Sequence, residues 1–430
     1  MPSPVAKDGH VVPPANAKVT QLPNGRKEIA TQDGTRIQTN AKGKATSITK
    51  PDGTQAHLNP NTGRVTSVHK VEADGSVTSI HNSPAGVRRV EHVSKDPYGH
   101  PVRTVGDGHR GFRERELLRR PGYRQRTYYD HGHAYVRVYH DRVYGVYGAY
   151  PVYVPAYYYH PGFYAYFGAP WGAPVAFGWG VYPGYDYYGG YFAPAPYYSS
   201  PDAWMADYII SQNLQAAYAA QQDAQADAAA AGGAAPDAEA QTAAPAPIPA
   251  DVRAAYVQQV QASVQAAQAQ AAGQPVADTV PGALSAKFRV FQSYSDVEAT
   301  DVNGQECALT GGDFVRREED VPDSTKTVAV TVVTVAKPTA SHCLANSQVR
   351  LAVDTLQDWY NSFVESQQAG FDAMAAQQGK NGFPAATDTA KVTNAEGQAT
   401  PDDPNALASA IQDQQSGAAA IQADATGGGI

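Results

Sequence analysis

Several things are missing from this sequence. No run of 18 or more apolar residues occurs, which excludes a membrane-spanning helix. No basic segment followed by an apolar core stands near Met1-Pro-Ser-Pro, so no secretory signal is legible. Lysine is absent between Arg103 and Arg142, where ten arginines fall. Between Val143 and Tyr198 the only formal charge is Asp186. Chemistry is scarce as well. Cys343 directly follows His342, and strand neighbours face opposite ways, so no Cys-His pair is assembled, and no Ser-His-Asp set is visible. The chain is expected to be non-catalytic and to need no cofactor. Nucleic-acid binding would require a recognisable module, and none is present.

What is present is aromatic. Of 27 tyrosines, 21 lie between Gly122 and Tyr198. So uncharged and aromatic a stretch has to pack against something. The net charge of −8 conceals a split: residues 1–142 carry 23 Lys/Arg against 13 Asp/Glu, and residues 143–430 carry 10 against 28. A basic first third suits an anionic surface or attraction between copies. Cys307 and Cys343 fall in one β-rich stretch and read as a disulfide formed in an oxidising compartment, the alternative being two separate buried thiols. Closing that loop would contribute roughly 4 kcal/mol by loop entropy.

The fold class expected is mainly β with α segments. Residues 1–20 read as a flexible leader. Residues 21–110 form a β-hairpin repeat punctuated by Gly25, Gly34, Gly43, Gly53, Gly63, Gly75 and Gly86. Asp-Gly and Asn-Gly pairs favour tight turns with both central residues at positive φ. The covered face would comprise Ile29, Ile37, Ile48, Leu58, Val65, Val68, Val77, Ile80, Val87 and Val90. The strand–Asp-Gly–strand rhythm is loosely similar to the YD-type repeats of bacterial surface proteins, although the Tyr-Asp pair itself is absent.

Residues 111–198 form an Arg/Tyr-rich region. Phe112 to Arg120 suggests a short amphipathic helix. Ala134–Tyr139 and Arg142–Tyr147, joined at His140-Asp141, suggest a hairpin. Arg113, Arg119, Arg120, Arg124, Arg126, Arg137 and Arg142, with Tyr135 and Tyr139, are candidates for either polyanion binding or self-packing of guanidinium on ring. His131, His133 and His140 have spacing compatible with a metal, His-x-His placing two rings on one strand face. The rest of the segment, rich in Pro and Gly, should be irregular with short strands.

A helix is expected over 199–231, a linker over 232–250, and a second helix and linker over 251–283, with Val252, Tyr256, Val260 and Val264 as a weak docking stripe on an exposed spacer, the alternative being a weak coiled-coil contact between copies. Residues 284–375 read as a disulfide-closed small barrel of about five strands, including a hairpin turn at Asn303-Gly304 and a terminal helix burying Leu356, Trp359, Tyr360 and Phe363. Its Leu309…Gly312-Asp313-Phe314-Val315 pattern is similar to SH3-like barrels of bacterial envelope proteins. Residues 376–430 read as a disordered tail with one short helix near 406–414.

The stretches Tyr128–Tyr135, Pro161–Tyr164, Ala173–Gly180, Tyr188–Pro194 and Trp204–Ile210 together resemble an uncharacterised family of secreted, Tyr/Trp/Gly-rich bacterial proteins. The resemblance implies export to the envelope or the extracellular space and no assigned activity, and this sequence lacks the export signal of such proteins. The expected role is structural: assembly or surface attachment through the repeat and tyrosine-rich regions, by self-association. The alternatives are binding of an anionic polymer (surface glycan or extracellular DNA) and, more remotely, metal-dependent catalysis at the histidines.

Overall fold

The computed structural model describes residues 4–6, 8–84, 86–167, 169–177, 179, 185–230, 241–274, 278–302, 306–380, 382–385 and 388–426. The turn register of the repeat generates its largest element. Strands from Lys18 to Val154 form one 13-stranded antiparallel meander in which each strand pairs with its sequence neighbours. Gly34, Gly53 and Gly75 all have φ between 80 and 88. Each donates to the carbonyl three residues back, on Thr31, Lys50 and Glu72. The preceding aspartates do not share the positive φ; among these turns only Asn24 does. The turns are therefore type I followed by a left-handed glycine, not the two-residue form. The aspartates contribute through their side chains: Oδ1 of Asp33, Asp52 and Asp74 accepts from the amides of Thr35, Thr54 and Ser76 at 3.2, 2.9 and 2.9 Å.

Strand alternation puts Ile29, Ile37, Ile48, Leu58, Val65, Val68, Ile80 and Val90 in one core. Val77 and Val87 are half-buried and lie outside it. The cover is a long helix in the stretch that sequence reading took as a disordered tail with one short helix near 406–414. Pro404–Thr426 (α6 below) lays Ala418, Ile421 and Ala425 on this apolar face. Leu407 and Ile411, one turn apart, are fully buried. Ile411 sits over Gly106, where an added Cβ would come within 2.6 Å of its Cγ2. The leader is not free either: Val5 and Val11 join the same core, and His10 bridges to Lys44.

The second half of the meander corrects two expectations. Phe112–Arg120 is not a helix; Arg110–Glu116 is a strand paired on both sides. The charges alternate with period two, Phe112 and Glu114 on one face and Arg113 and Arg115 on the other, and flanking strands supply the hydrogen bonds. Nor does the chain turn at His140-Asp141. His133–Val143 is one strand, and the reversal comes at Tyr144–Gly148, where Gly145 and Gly148 provide positive φ.

The tyrosine-rich segment then wraps a second core. Short helices α1 (Pro161–Ala165) and α2 (Tyr185–Tyr188) precede α3 (Pro201–Ala230) and α4 (Ala250–Ala271). A six-stranded antiparallel sheet spans Val290–Ala352, and α5 (Val353–Gln377) follows it directly. One hydrophobic cluster runs through all of these, from Tyr144 and Phe163 to Trp204, Tyr256, Phe314 and Trp359. The α4 stripe Val252, Tyr256, Val260 and Val264 is at most 4% exposed, so this helix is core and not an exposed spacer. Leu356, Trp359 and Phe363 are buried as the α5 pattern implied, with Tyr360 half-buried over Gly282. Cys307 and Cys343 form a disulfide. The strands Val297–Asp301 and Glu306–Leu309 pair as a hairpin, whose Asn303-Gly304 turn lies outside the described residues. Lys391–Thr393, in the segment read as disordered, pairs with Tyr157–Tyr159.

Both edges of the meander are informative. On the last strand (Ala149–Val154), the Asn361 side chain of α5 accepts from the Tyr153 amide at 3.1 Å and donates to the Pro151 carbonyl at 2.8 Å. On the first strand, Lys18–Gln21, all four residues are exposed.

Candidate functional site

The two faces of the meander differ. One is apolar and faces α6. The other carries Ser67, Ser79, His81, Arg89, Glu91, Arg103 and Arg126, and faces the six-stranded sheet and α5. Arg126 is the centre of this polar face. It pairs with Glu114 on the neighbouring strand and with Asp358 of α5 at 3.0 Å. Its guanidinium lies 5.0 Å from the Phe112 ring centroid and 4.4 Å from that of Tyr139. Burial works against its charge, but Asp358 and Glu114 outweigh that and hold it well above the ordinary arginine value. Glu114 is affected reciprocally: burial opposes its ionisation, and Arg126 brings its pKa below normal. The Tyr139 hydroxyl bonds to Glu365 and lies 2.8 Å from that of Tyr128.

The other candidate arginines are used within the protein in a similar way. Arg124 pairs with Asp141 at 2.8 Å. Arg120 donates to the carbonyls of Ala395, Glu396 and Gln398 and stacks on Tyr123. Arg137 covers Tyr135, 5.0 Å from its centroid, and Arg142 lies beside the Tyr144 hydroxyl. Arg113 is half-buried on the α6 side, and Arg119 is exposed in the turn after the strand. These residues do not converge on one outward surface.

The three candidate histidines do not converge either. His131 is in the Asp130–Gly132 turn at φ 46, not in a strand, so it does not share a face with His133. His140 is seven residues along the strand from His133, about 23 Å at strand rise, and stacks on Tyr123 at 4.3 Å. The partner of His131 is instead His109, in a neighbouring hairpin turn. Their rings stack at 5.6 Å, and Asp223 of α3 completes the group.

Between the polar face, α3 and the six-stranded sheet is a cleft of about 1170 Å³. Beside it, the meander is joined to the six-stranded sheet by bonds from Ser67 to Glu298 at 3.2 Å and from His57 to Glu306 at 3.3 Å. The hydrogen bond to Glu306 raises the His57 pKa. Phe112, Tyr128, Tyr135 and Tyr294 supply aromatic wall, and Arg103 is clamped by both Glu91 oxygens at 2.9 Å. Arg89, half-buried in its strand, differs from its neighbours: its side chain makes no hydrogen bond or ion pair among the described residues. Burial lowers its pKa, with Arg103 adding repulsion, while Asp107, Asp296 and Glu91 act on it only through longer-range attraction. Facing it across the cleft, Asp296 accepts from the Gly311 amide at 3.2 Å, and its pKa is raised by burial. At the far wall Lys337, lowered to about 8 by burial, sits 2.9 Å from the Tyr187 ring centroid.

A buried polar knot lies beneath this wall. Asp313 takes the amides of Thr310 and Ala336, both at 2.7 Å, and the Thr310 hydroxyl lies 2.9 Å from His342 Nε2. Burial pushes the Asp313 carboxyl up to about 7. Sequence reading found neither this knot nor Arg89. Arg89 alternates with the core residue Val90 and resembles any solvated strand residue until something covers the polar face. Phe314 is fully buried, whereas Tyr294 lines the cleft.

No protein-family model matches the chain, and no curated protein or solved structure matches it significantly. None of the helices described is long and apolar enough to cross a membrane.

Proposed function

We propose that this chain is a non-catalytic, exported envelope or extracellular protein that binds an acidic glycan in the cleft. The observation that carries this reading is Arg89: a half-buried guanidinium lining the cleft, with no hydrogen bond or ion pair to its side chain among the described residues, in a cavity large enough for an oligosaccharide. A carboxylate or sulfate on the ligand would give it the missing partner. The aromatic walls suit sugar rings, and Glu91, Asp296, Glu298 and Asp358 can accept from hydroxyls. The same carboxylates disfavour nucleic acid, which selects continuous basic surface. The disulfide suits an oxidising compartment.

The test is calorimetry with acidic and neutral oligosaccharides on the wild type, Arg89→Gln and the surface control Arg119→Gln. The reading requires acidic oligosaccharides to bind more tightly than neutral ones, and affinity to drop at least tenfold in Arg89→Gln alone. Equal affinities in all three proteins would place the ligand elsewhere.

A second reading, self-assembly, is favoured by the edges of the meander. Buried tyrosines offer it little surface, but Lys18–Gln21 leaves an edge unpaired among the described residues while the opposite edge is sealed by Asn361. Concentration-dependent sedimentation that disappears in Val19→Pro would support it, and a strict monomer at high concentration would remove it.

A further inference from the structure

We propose that the protein holds one divalent transition-metal ion, zinc by ligand chemistry, between His109, His131, Asp223 and Asp227, and that the ion fastens two hairpin turns of the meander to α3. This inference is independent of the glycan reading.

The donors come from three places. His109 follows the strand Pro101–Gly106, His131 follows the strand Tyr123–Asp130, and Asp223 and Asp227 stand one turn apart on α3. Donor atoms of His109, His131 and Asp223 all lie within 4.8 Å of one another. A tetrahedral zinc site with bonds near 2.0–2.1 Å has its donors about 3.4 Å apart, so modest side-chain rotations would close the set. The imidazoles already point at the carboxylates that would share the ion. His131 Nε2 is 3.1 Å from Asp223 Oδ1, and His109 Nε2 is 2.9 Å from Asp227 Oδ1.

Three further observations favour a cation over an ordinary surface ion pair. His131 Nδ1 is 2.6 Å from Asp130, so the nitrogen remote from the proposed ion is fixed by a carboxylate, as metal-binding imidazoles commonly are. Asp223 Oδ2 is buried and receives no hydrogen bond, its nearest cation being Arg110 at 3.4 Å. Finally, four carboxylates gather at this corner: Asp130 and Asp223 share Arg110 at 2.9 and 3.4 Å, Asp227 meets His109, and Asp107 accepts from the His109 and Arg110 amides. A divalent ion would offset the excess negative charge. The His131 backbone, at φ 46, is held in a region a non-glycine residue rarely adopts, and that conformation brings its ring to α3.

The experiment uses the full-length protein stripped with chelator and then titrated with Zn²⁺ or Co²⁺ alone. Calorimetry should give one ion per chain, and Co²⁺ should show the intense visible bands of four-coordination. His109→Ala, His131→Ala and Asp223→Asn should each weaken binding at least tenfold, and Asp130→Asn should weaken it tenfold or more by releasing the His131 ring. His133→Ala and His140→Ala should bind as the wild type. Far-UV circular dichroism confirms that each variant is folded, and His131→Gln provides a milder replacement if His131→Ala is not. Hydrogen exchange at residues 107–110, 130–132 and 220–230 should slow on adding metal. Absence of stoichiometric binding to the folded wild type would overturn the proposal, as would undiminished binding in the His109→Ala/His131→Ala double variant.

Discussion

The docking of α6 can be tested by removing its anchors. Leu407 and Ile411 are fully buried, and Ile411 fills the space above Gly106 and Gly111. Truncating a buried Ile or Leu to Ala costs about 2–5 kcal/mol. Ile411→Ala should therefore lower stability by about that amount, and Leu407→Ala/Ile411→Ala by about 4–8 kcal/mol. The helix has few other large apolar side chains: Ala418 and Ala425 are its remaining buried apolar residues, with Ile421 partly buried. Tertiary packing supplies most of the stability of such a helix. In the double variant α6 should detach, leaving the face of Ile37, Ile48, Leu58 and Ile80 exposed to water. The assay is urea unfolding combined with amide exchange, with Gln412→Ala, an exposed position on the same helix, as reference. Amides of residues 404–426 should exchange like a free peptide in the double variant, and strands between Ala45 and Lys95 should lose protection with them. The reasoning is refuted if Ile411→Ala unfolds at the same urea concentration as Gln412→Ala, or if α6 amides are unprotected in the wild type.

Three further outcomes are expected. Glu114→Gln leaves the buried Arg126 with Asp358 alone and should destabilise by about 3–5 kcal/mol, whereas the exposed Arg119→Ala should change stability by less than about 0.5 kcal/mol; both are read by urea unfolding. The Asp202 carboxyl, 3% exposed, is pushed up by burial from 3.8 to about 6. Folding thus favours its protonated form, so its contribution is complete below pH 3.8 and is lost as pH rises through about 6. That gap is worth at most about 3 kcal/mol, and Asp202→Asn, neutral throughout, should gain on the wild type between pH 4 and 7 in unfolding titrations. Replacing both cysteines by serine should cost about 2–5 kcal/mol, measured as a drop in melting temperature against the oxidised wild type.

Local signals in the sequence were read well where one residue type dictates the backbone. Gly34, Gly53 and Gly75 set the strand register because a left-handed turn position admits little else. The disulfide was legible because both cysteines fall in one β-rich stretch, and the buried face of α5 because large apolar residues fall at helical spacing. The failures have physical causes too. The segment from Phe112 to Arg120 looked helical because alternating charges suit either period, and only pairing with the flanking strands decides between them. Of the last helix only a short piece near 406–414 was read, because an isolated Ala/Gln-rich segment carries few large apolar residues and its partner surface is more than 300 residues upstream. His109 and Asp223 escaped attention because 114 residues separate them, and only the sheet and α3 bring them together.

The connectivity of the meander has a consequence for how the protein is made. Every one of its strands pairs with an immediate sequence neighbour, so the sheet can grow hairpin by hairpin as the chain emerges, closing only short loops. Its cover arrives last: Asn82 waits for Gln422, and Gly106 for Ile411 and Gln415. Until then a broad β surface with one apolar face stands open, the kind of intermediate that aggregates or recruits a chaperone. Synthesis of the final helix is therefore the step that commits the chain to its native state, and a truncated product ending before Pro404 would be a competent sheet without a lid.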